Sequence, residues 1–114
     1  MPKLLSQANF SNITVTSLTT TSDSQAVLDV FSKETYRSAK WQIQVTRGST
    51  YHTADFLVVH NWSGTFNTEY AIIKTNDSLA TFDTDINGDN VRLLVTPASD
   101  TSTTFKVIRT SINT

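Results

Sequence analysis

The sequence predicts an all-β fold, an antiparallel β-sandwich of about seven or eight strands with Greek-key or jelly-roll-like connections. Serine and threonine make up more than a quarter of the 114 residues, and threonine favours strands over helices. Short alternating apolar segments recur between turn residues, and no apolar stripe at helical spacing is long enough for a parallel crossover. A chain of this length accommodates one core and therefore one domain.

The segment Tyr36–Arg47 is the predicted central strand. Between Ala39 and Val45 apolar and polar residues alternate strictly, which gathers the large side chains on one face of a strand but would scatter them round a helix. Trp41 is the largest side chain on the apolar face, and its indole N–H needs a hydrogen-bond partner once it is buried. We therefore expect Trp41 at the centre of the core.

The N-terminal part, residues 1–24, is predicted to be a threonine-rich arm or first strand, with the sandwich domain formed by residues 25–114. In the arm Ile13 and Val15 alternate with threonine before the polar run TTTSDS. Such strands are weakly specified in register, and an unpaired edge can join a neighbour's sheet. We expect docking on a partner through Ile13, Val15 and Leu18. The alternative is an ordinary first strand of the domain's own sheet.

The remaining strands follow at short intervals. They are predicted at Ala26–Phe31, His52–His60, Thr65–Thr75, the short segment Leu79–Phe82, Val91–Val95 and Phe105–Ile112. The residues of Ser32–Thr35 turn the chain, although a capped helical turn is the weaker alternative. The pair Asn87-Gly88 predicts a hairpin turn in which both central residues have positive φ.

Inward positions of these strands give the predicted core. Its members are Trp41, Ile43, Val45, Phe56, Val58, Ile72, Leu93 and Val95. The strand from His52 to His60 carries apolar residues on both faces, so its middle is expected to be covered on both sides.

The segment Asp83–Asn90, DTDINGDN, resembles the first half of a calcium-binding loop. In the pattern D-x-D-x-N-G, alternate oxygens face one cation and the glycine permits the turn. The calcium candidates are Asp83, Asp85, Asn87 and Asp89. The twelfth position is Leu94 rather than a bidentate glutamate, however, so we expect an acidic turn before a hairpin and no metal.

Trp62 lies in the loop NWSG near two amides, Asn61 and Asn67. An exposed aromatic ring flanked by amides is one way to hold the face of a sugar, which makes these three residues a candidate glycan site. The alternative is a tryptophan that folds back as a lid over the end of the sandwich.

Composition disfavours several classes of function. A net charge of −1 supplies no general attraction for nucleic acid. The apolar run in the start MPKLLSQANF is too short for the core of a signal peptide or for a membrane span. We therefore expect synthesis in a cytoplasm and no membrane partner. The chain has no cysteine and no G-x-S-x-G motif. We expect no enzyme activity, no catalytic residues and no cofactor.

Four stretches resemble a β-module of virion structural proteins in marine tailed bacteriophages, including cyanophages. They are AVLDVFSKETYRSAKWQIQVTRGSTYHTADFLVVHNW, TEYAII, FDTDINGDNVRLLVTP and TFKVIRT. The resemblance spans Ala26 to Ile112, and YRSAKW and NVRLLVTP are its most specific parts. It implies a non-enzymatic component of an assembled particle.

The resemblance also implies a location in the virion and partners among other virion proteins. We expect a small outer-surface capsid decoration or cement protein, bound in many copies to the major capsid protein and made in the cytoplasm of the bacterial host. One alternative is a structural module of the tail, neck or fibre. Another, from a different class, is a glycan-binding module that uses Trp62.

Overall fold

The computed structural model describes residues 10–114, which form eight β-strands. The strands are β1 (Ser11–Thr20), β2 (Ala26–Ser32), β3 (Tyr36–Arg47), β4 (Thr50–His60), β5 (Thr65–Lys74), β6 (Ala80–Asn87), β7 (Asn90–Pro97) and β8 (Thr103–Asn113). All pairing is antiparallel, in a five-stranded sheet of order β1-β8-β3-β4-β5 and a three-stranded sheet of order β2-β7-β6. The predicted antiparallel sandwich is therefore confirmed. No helix within residues 10–114 has the length and hydropathy needed to cross a membrane.

The core lies between the two sheets, where alternate residues of each strand meet. Trp41 is fully buried at its centre, and the rings of Phe31 and Phe56 lie with centroids 5.9 and 6.4 Å from the Trp41 ring. Seven of the predicted core residues are buried there: Trp41, Ile43, Val45, Phe56, Val58, Leu93 and Val95.

Ile72 was predicted in the core and lies outside it, with 46% of its surface exposed. The inward positions of β5 carry polar residues, since Asn67 and Glu69 lie opposite buried residues of β4, and Phe66 and Tyr70, in phase with Ile72, are exposed. The alternation was therefore assigned to the wrong face. A β-bulge also shifts the register between Thr53 and Asp55 of β4, and Ala71 at the bulge has φ of 52°.

β1 belongs to the domain's own sheet. It pairs with β8 along its whole length, from Ser11 opposite Ile112 to Thr20 opposite Thr103. This is the alternative of an ordinary first strand, here at the edge of the sheet. Residues 1–9 of the predicted arm lie outside the described residues.

The hairpin between β6 and β7 turns at the predicted Asn-Gly pair, with the centre of the turn one residue later. Asn87 ends β6 and pairs with Asn90, so the central residues of the turn are Gly88 and Asp89. Of these two residues only Gly88 has positive φ, at 61°, a conformation that glycine adopts without strain. β6 also continues past Phe82, where the predicted short segment ended. The prediction stopped there because most of the residues that follow Phe82 in β6 are polar and do not show the apolar alternation of a strand.

Candidate functional site

The loop that carries Trp62 is held in one conformation by hydrogen bonds to backbone groups. It spans Asn61–Gly64, between β4 and β5. The side-chain oxygen of Asn61 accepts hydrogen bonds from the backbone N–H of Ser63 at 3.2 Å and of Gly64 at 3.0 Å. The backbone N–H of Asn61 donates to the carbonyl of Gly64 at 3.1 Å. Trp62 itself has φ of 77°, a left-handed conformation that is uncommon for a large side chain.

Trp62 is 46% exposed, and its indole ring lies beside two cationic side chains. Lys33 Nζ is 5.3 Å and the guanidinium carbon of Arg37 is 5.8 Å from the centre of the ring. The ring of His60 makes an edge contact at 5.8 Å. We call these four residues, Lys33, Arg37, His60 and Trp62, the Trp62 cluster.

Hydrogen bonds fix the position of the cluster on the fold. Lys33 Nζ donates to the carbonyl of Trp62 at 3.3 Å, and Arg37 donates to the carbonyl of His60 at 3.1 Å. The backbone N–H of Trp62 donates to His60 Nδ1 at 3.1 Å. That bond places the ring hydrogen of His60 on Nε2, which lies 2.8 Å from the carbonyl oxygen of Tyr36. The loop is thus tied to the start of β3 and to the turn before it.

The two amides predicted beside Trp62 have other partners. Asn61 uses its side-chain oxygen inside the loop, as described above. Asn67 lies opposite Val58, whose side chain is buried, and donates to Thr84 Oγ1 at 2.7 Å. The structure therefore brings Trp62 together with Lys33 and Arg37, which the sequence analysis did not single out.

A signal for this association is present in the sequence. The tight turn after Arg47 pairs Arg47 with Thr50, and the same register continues to Ser38 opposite Val59. The next step along this hairpin places Arg37 opposite His60, two residues before Trp62. Counting back from the turn would therefore have located the cationic side of the cluster.

The calcium candidates lie along a strand and its turn. Asp85 is bound to Arg92 through two hydrogen bonds of 2.8 and 2.7 Å, and these bonds from Arg92 lower the pKa of its carboxyl. Asp83 accepts a hydrogen bond from the N–H of Thr84 at 2.8 Å. Among residues 10–114 no group of three or more His, Asp or Glu side chains is arranged to hold a metal ion.

The three predicted docking residues separate onto two faces of β1. Ile13 and Val15 lie on the outer face of the five-stranded sheet, 70% and 76% exposed. Leu18 lies opposite Phe105 and packs, partly buried, against the core. Its docking role stays a prediction, with less surface available to a partner than at Ile13 and Val15.

The outer face of the five-stranded sheet is open and partly apolar. Leu57 and Val59 were expected to be covered but are 44% and 42% exposed. Near β1 this face has a shallow depression of about 600 Å³. Its lining includes Val15, Ile108, Lys106, Gln42 and Gln44. Apolar side chains around central amides suit contact with another protein surface better than enclosure of a small ligand.

The fold is an antiparallel β-sandwich with a part-exposed tryptophan on one loop and an open, partly apolar sheet face. No family model matches the chain, and no curated protein matches it by sequence. The structure is similar to the tailspike protein of Acinetobacter baumannii phage AM24, with a TM-score of 0.53 and 9% identity over 99% of this chain and 28% of that one.

It is also similar to the tailspike protein of Acinetobacter phage vB_ApiP_P1. The TM-score is 0.53 and the identity 16%, over 90% of this chain and 21% of that one. At such identities the likeness shows a shared fold. The chain spans less than a third of the length of either tailspike.

Proposed function

We propose that this chain is a non-enzymatic structural module of a tailed-bacteriophage virion, and that it belongs to the tail. The observation that carries the proposal is the fold likeness to parts of two tailspikes, over 99% and 90% of this chain. The sequence resemblance to virion β-modules supports the same class of protein. The likeness to tail proteins favours the tail, neck or fibre alternative over capsid decoration.

The partners in this proposal are other virion proteins of a tail assembly. Because the chain matches less than a third of each tailspike, we infer that it works beside further domains or chains. The outward residues Ile13 and Val15, next to the depression on the sheet, are the proposed contact surface.

A non-enzymatic role agrees with the use of the two histidines. His52 Nδ1 accepts the backbone N–H of Leu79 at 3.2 Å, and His60 contacts the backbone of Tyr36 and Trp62. Each ring therefore holds a segment of backbone in place, and neither is positioned as a base beside a nucleophile.

Immunogold labelling of purified particles of the phage that encodes the chain tests this proposal. The antibody is raised against the recombinant chain and checked on particles opened by mild denaturation. Label confined to the tail is the expected result. Label spread over the head would overturn the tail assignment in favour of decoration, and no label on either intact or opened particles would overturn the virion assignment.

Glycan binding is the second candidate function, and the 46% exposure of Trp62 on a loop favours it. A sugar can stack on the uncovered part of the ring. Trp62→Ala is expected to abolish retention on a glycan to which the wild-type chain binds, without changing its assembly into particles.

A further inference from the structure

We propose that the Trp62 cluster binds a sugar that carries a carboxylate. The sugar ring would stack on the indole, and the carboxylate would pair with Lys33 and Arg37. This inference rests on the glycan-binding candidate and adds the chemical class of the ligand.

The Trp62 cluster carries two positive charges. Lys33 and Arg37 both lie within 6 Å of the Trp62 ring. The salt bridges found within residues 10–114 are Asp85–Arg92 and Asp29–Arg109, so neither cation of the cluster is neutralised by a carboxylate in direct contact. Two unneutralised positive charges at one exposed point attract an anionic group.

Nearby acidic residues do not occupy this position. Glu34 follows Lys33 in the chain, and its backbone N–H is bonded to Ser32 Oγ at 3.2 Å. Asp89 approaches Lys33 through its backbone carbonyl, which accepts the Lys33 N–H at 3.0 Å. Neither carboxylate lies within salt-bridge distance of Lys33 or Arg37.

The Trp62 side chain remains partly open to a ligand. The cations cover part of the indole, and 46% of the residue's surface remains open. The negative face of an aromatic ring attracts cations and the weakly positive C–H groups of a sugar alike. An acidic sugar can therefore use the ring and the cations together, whereas a neutral sugar can use only the ring.

The backbone of Trp62 is held in place before any ligand binds. A non-glycine residue at φ of 77° persists only where its surroundings hold it, and such residues cluster at ligand sites. Here the N–H and carbonyl of Trp62 are both bonded, to His60 and Lys33. A ring fixed before binding loses little conformational freedom when a ligand arrives.

Calorimetry with three acidic oligosaccharides, oligogalacturonate, oligoglucuronate and oligosialate, tests the inference. Each is compared with its carboxyl-reduced form, which keeps the linkages and removes the charge. At least one acid is expected to bind tenfold or more tightly than its reduced form, and the binding should weaken as salt is added.

The variants Lys33→Met and Trp62→Ala should each weaken that binding tenfold or more, with Lys40→Met as a control that removes one charge elsewhere. Lys40 is exposed on β3. Unchanged circular dichroism establishes that each variant is folded. Acid binding that survives Lys33→Met and Trp62→Ala would overturn the site.

The remaining outcomes separate this inference from the functions on which it rests. Equal binding of acid and reduced forms, lost in Trp62→Ala, would overturn the acidic preference and leave glycan binding intact. No binding of any oligosaccharide would overturn both. Displacement of the acid by millimolar inorganic phosphate at constant ionic strength would identify a general anion site and overturn the sugar assignment. The tail proposal is tested separately by particle labelling.

Discussion

At the scale of single residues, the most consequential feature is a charged pair inside the sandwich. Asp29 accepts hydrogen bonds from the Trp41 indole N–H at 2.9 Å and from Arg109 at 3.0 Å. Arg109 also donates to the Val30 carbonyl at 2.9 Å and to Ser111 Oγ at 2.8 Å. The partner that the Trp41 indole requires is therefore a carboxylate, which an arginine in turn neutralises.

Removing the carboxylate is expected to be costly. Asp29→Ala leaves the Arg109 charge, whose side chain is 8% exposed, without its counterion and the Trp41 N–H without an acceptor. Breaking a buried pair in this way lowers the free energy of unfolding by about 3–5 kcal/mol. Urea unfolding followed by circular dichroism measures it, with exposed Asp100→Ala as the control. A loss equal to that of the control would contradict a structural role for the pair.

His52 is a buried imidazole that resists protonation. Burial lowers the pKa of His52 below its ordinary value of 6.5, and the charge of Lys74, which lies opposite it, lowers the pKa further. Its Nε2 has no hydrogen-bond partner among the described residues. Between the lowered pKa and 6.5 the unfolded chain binds more protons than the native chain, so stability rises with pH in that window.

We therefore expect the free energy of unfolding to fall as the pH is lowered from about 7.5 through 6.5, with a slope of at most about 1.4 kcal/mol per pH unit from this group. His52→Asn keeps an acceptor near the position of Nδ1 and removes the titration. The free energy of unfolding of the wild type minus that of the variant, measured by urea unfolding at each pH, should shrink as the pH falls. A difference that is constant between pH 7.5 and 5 would show that folding does not lower the pKa of His52.

At the scale of the strand, prediction from sequence succeeded where the apolar residues of a strand face inward. In β3 the alternation of Trp41 with polar residues assigned the buried face correctly. In β5 the polar residues Asn67 and Glu69 face inward, so Ile72 was assigned to the wrong face. Which face of an edge strand is buried depends on the strands that pack against it, and a local pattern of residue types does not reveal it.

The two edges of the five-stranded sheet differ in their protection. β5 has a bulge and carries two charged residues, Glu69 and Lys74. The bulge and the charges each discourage pairing with another strand. β1 pairs with β8 without a register shift and has no charge or proline along its ten residues. β1 is therefore the edge suited to a partner.

A lysine on β1 should block that contact and leave the fold intact. Val15 is 76% exposed, so Val15→Lys is expected to change the free energy of unfolding by no more than about 0.5 kcal/mol. Incorporation of the chain into phage particles, measured by quantitative mass spectrometry, should fall. The matched control is Ile73→Lys, at a residue 68% exposed on β5. Equal incorporation of both variants would exclude β1 as the docking edge.

At the scale of the whole molecule, the sandwich could be predicted from composition and strand spacing, but its sheet order could not. The pairing of β1 with β8 joins the two ends of the described chain. No local pattern specifies such a contact, because it depends on how the strands between them pack. The Trp62 cluster had a partial signal, since the register of the β3–β4 hairpin brings Arg37 to His60, whereas the approach of Lys33 depends on the turn after β2.

From this arrangement we expect β1 to be part of the cooperative unit rather than a detachable arm. Deleting residues 1–24 removes Leu18 from the core and exposes the edge of β8 beside Phe105 and Val107. We expect the truncated chain to lose a large part of the roughly 5–15 kcal/mol that stabilises a typical domain. Its urea transition should move to much lower concentration, with weaker near-ultraviolet circular dichroism.

The control for this deletion is the double variant Ile13→Ser/Val15→Ser, which keeps the strand and changes only exposed side chains. Its urea midpoint should stay close to that of the wild-type chain, because these side chains contribute little buried apolar surface. A truncated chain with the wild-type midpoint would instead establish residues 25–114 as the independent folding unit. The ladder between β1 and β8 would then be an interaction that a neighbouring chain could replace.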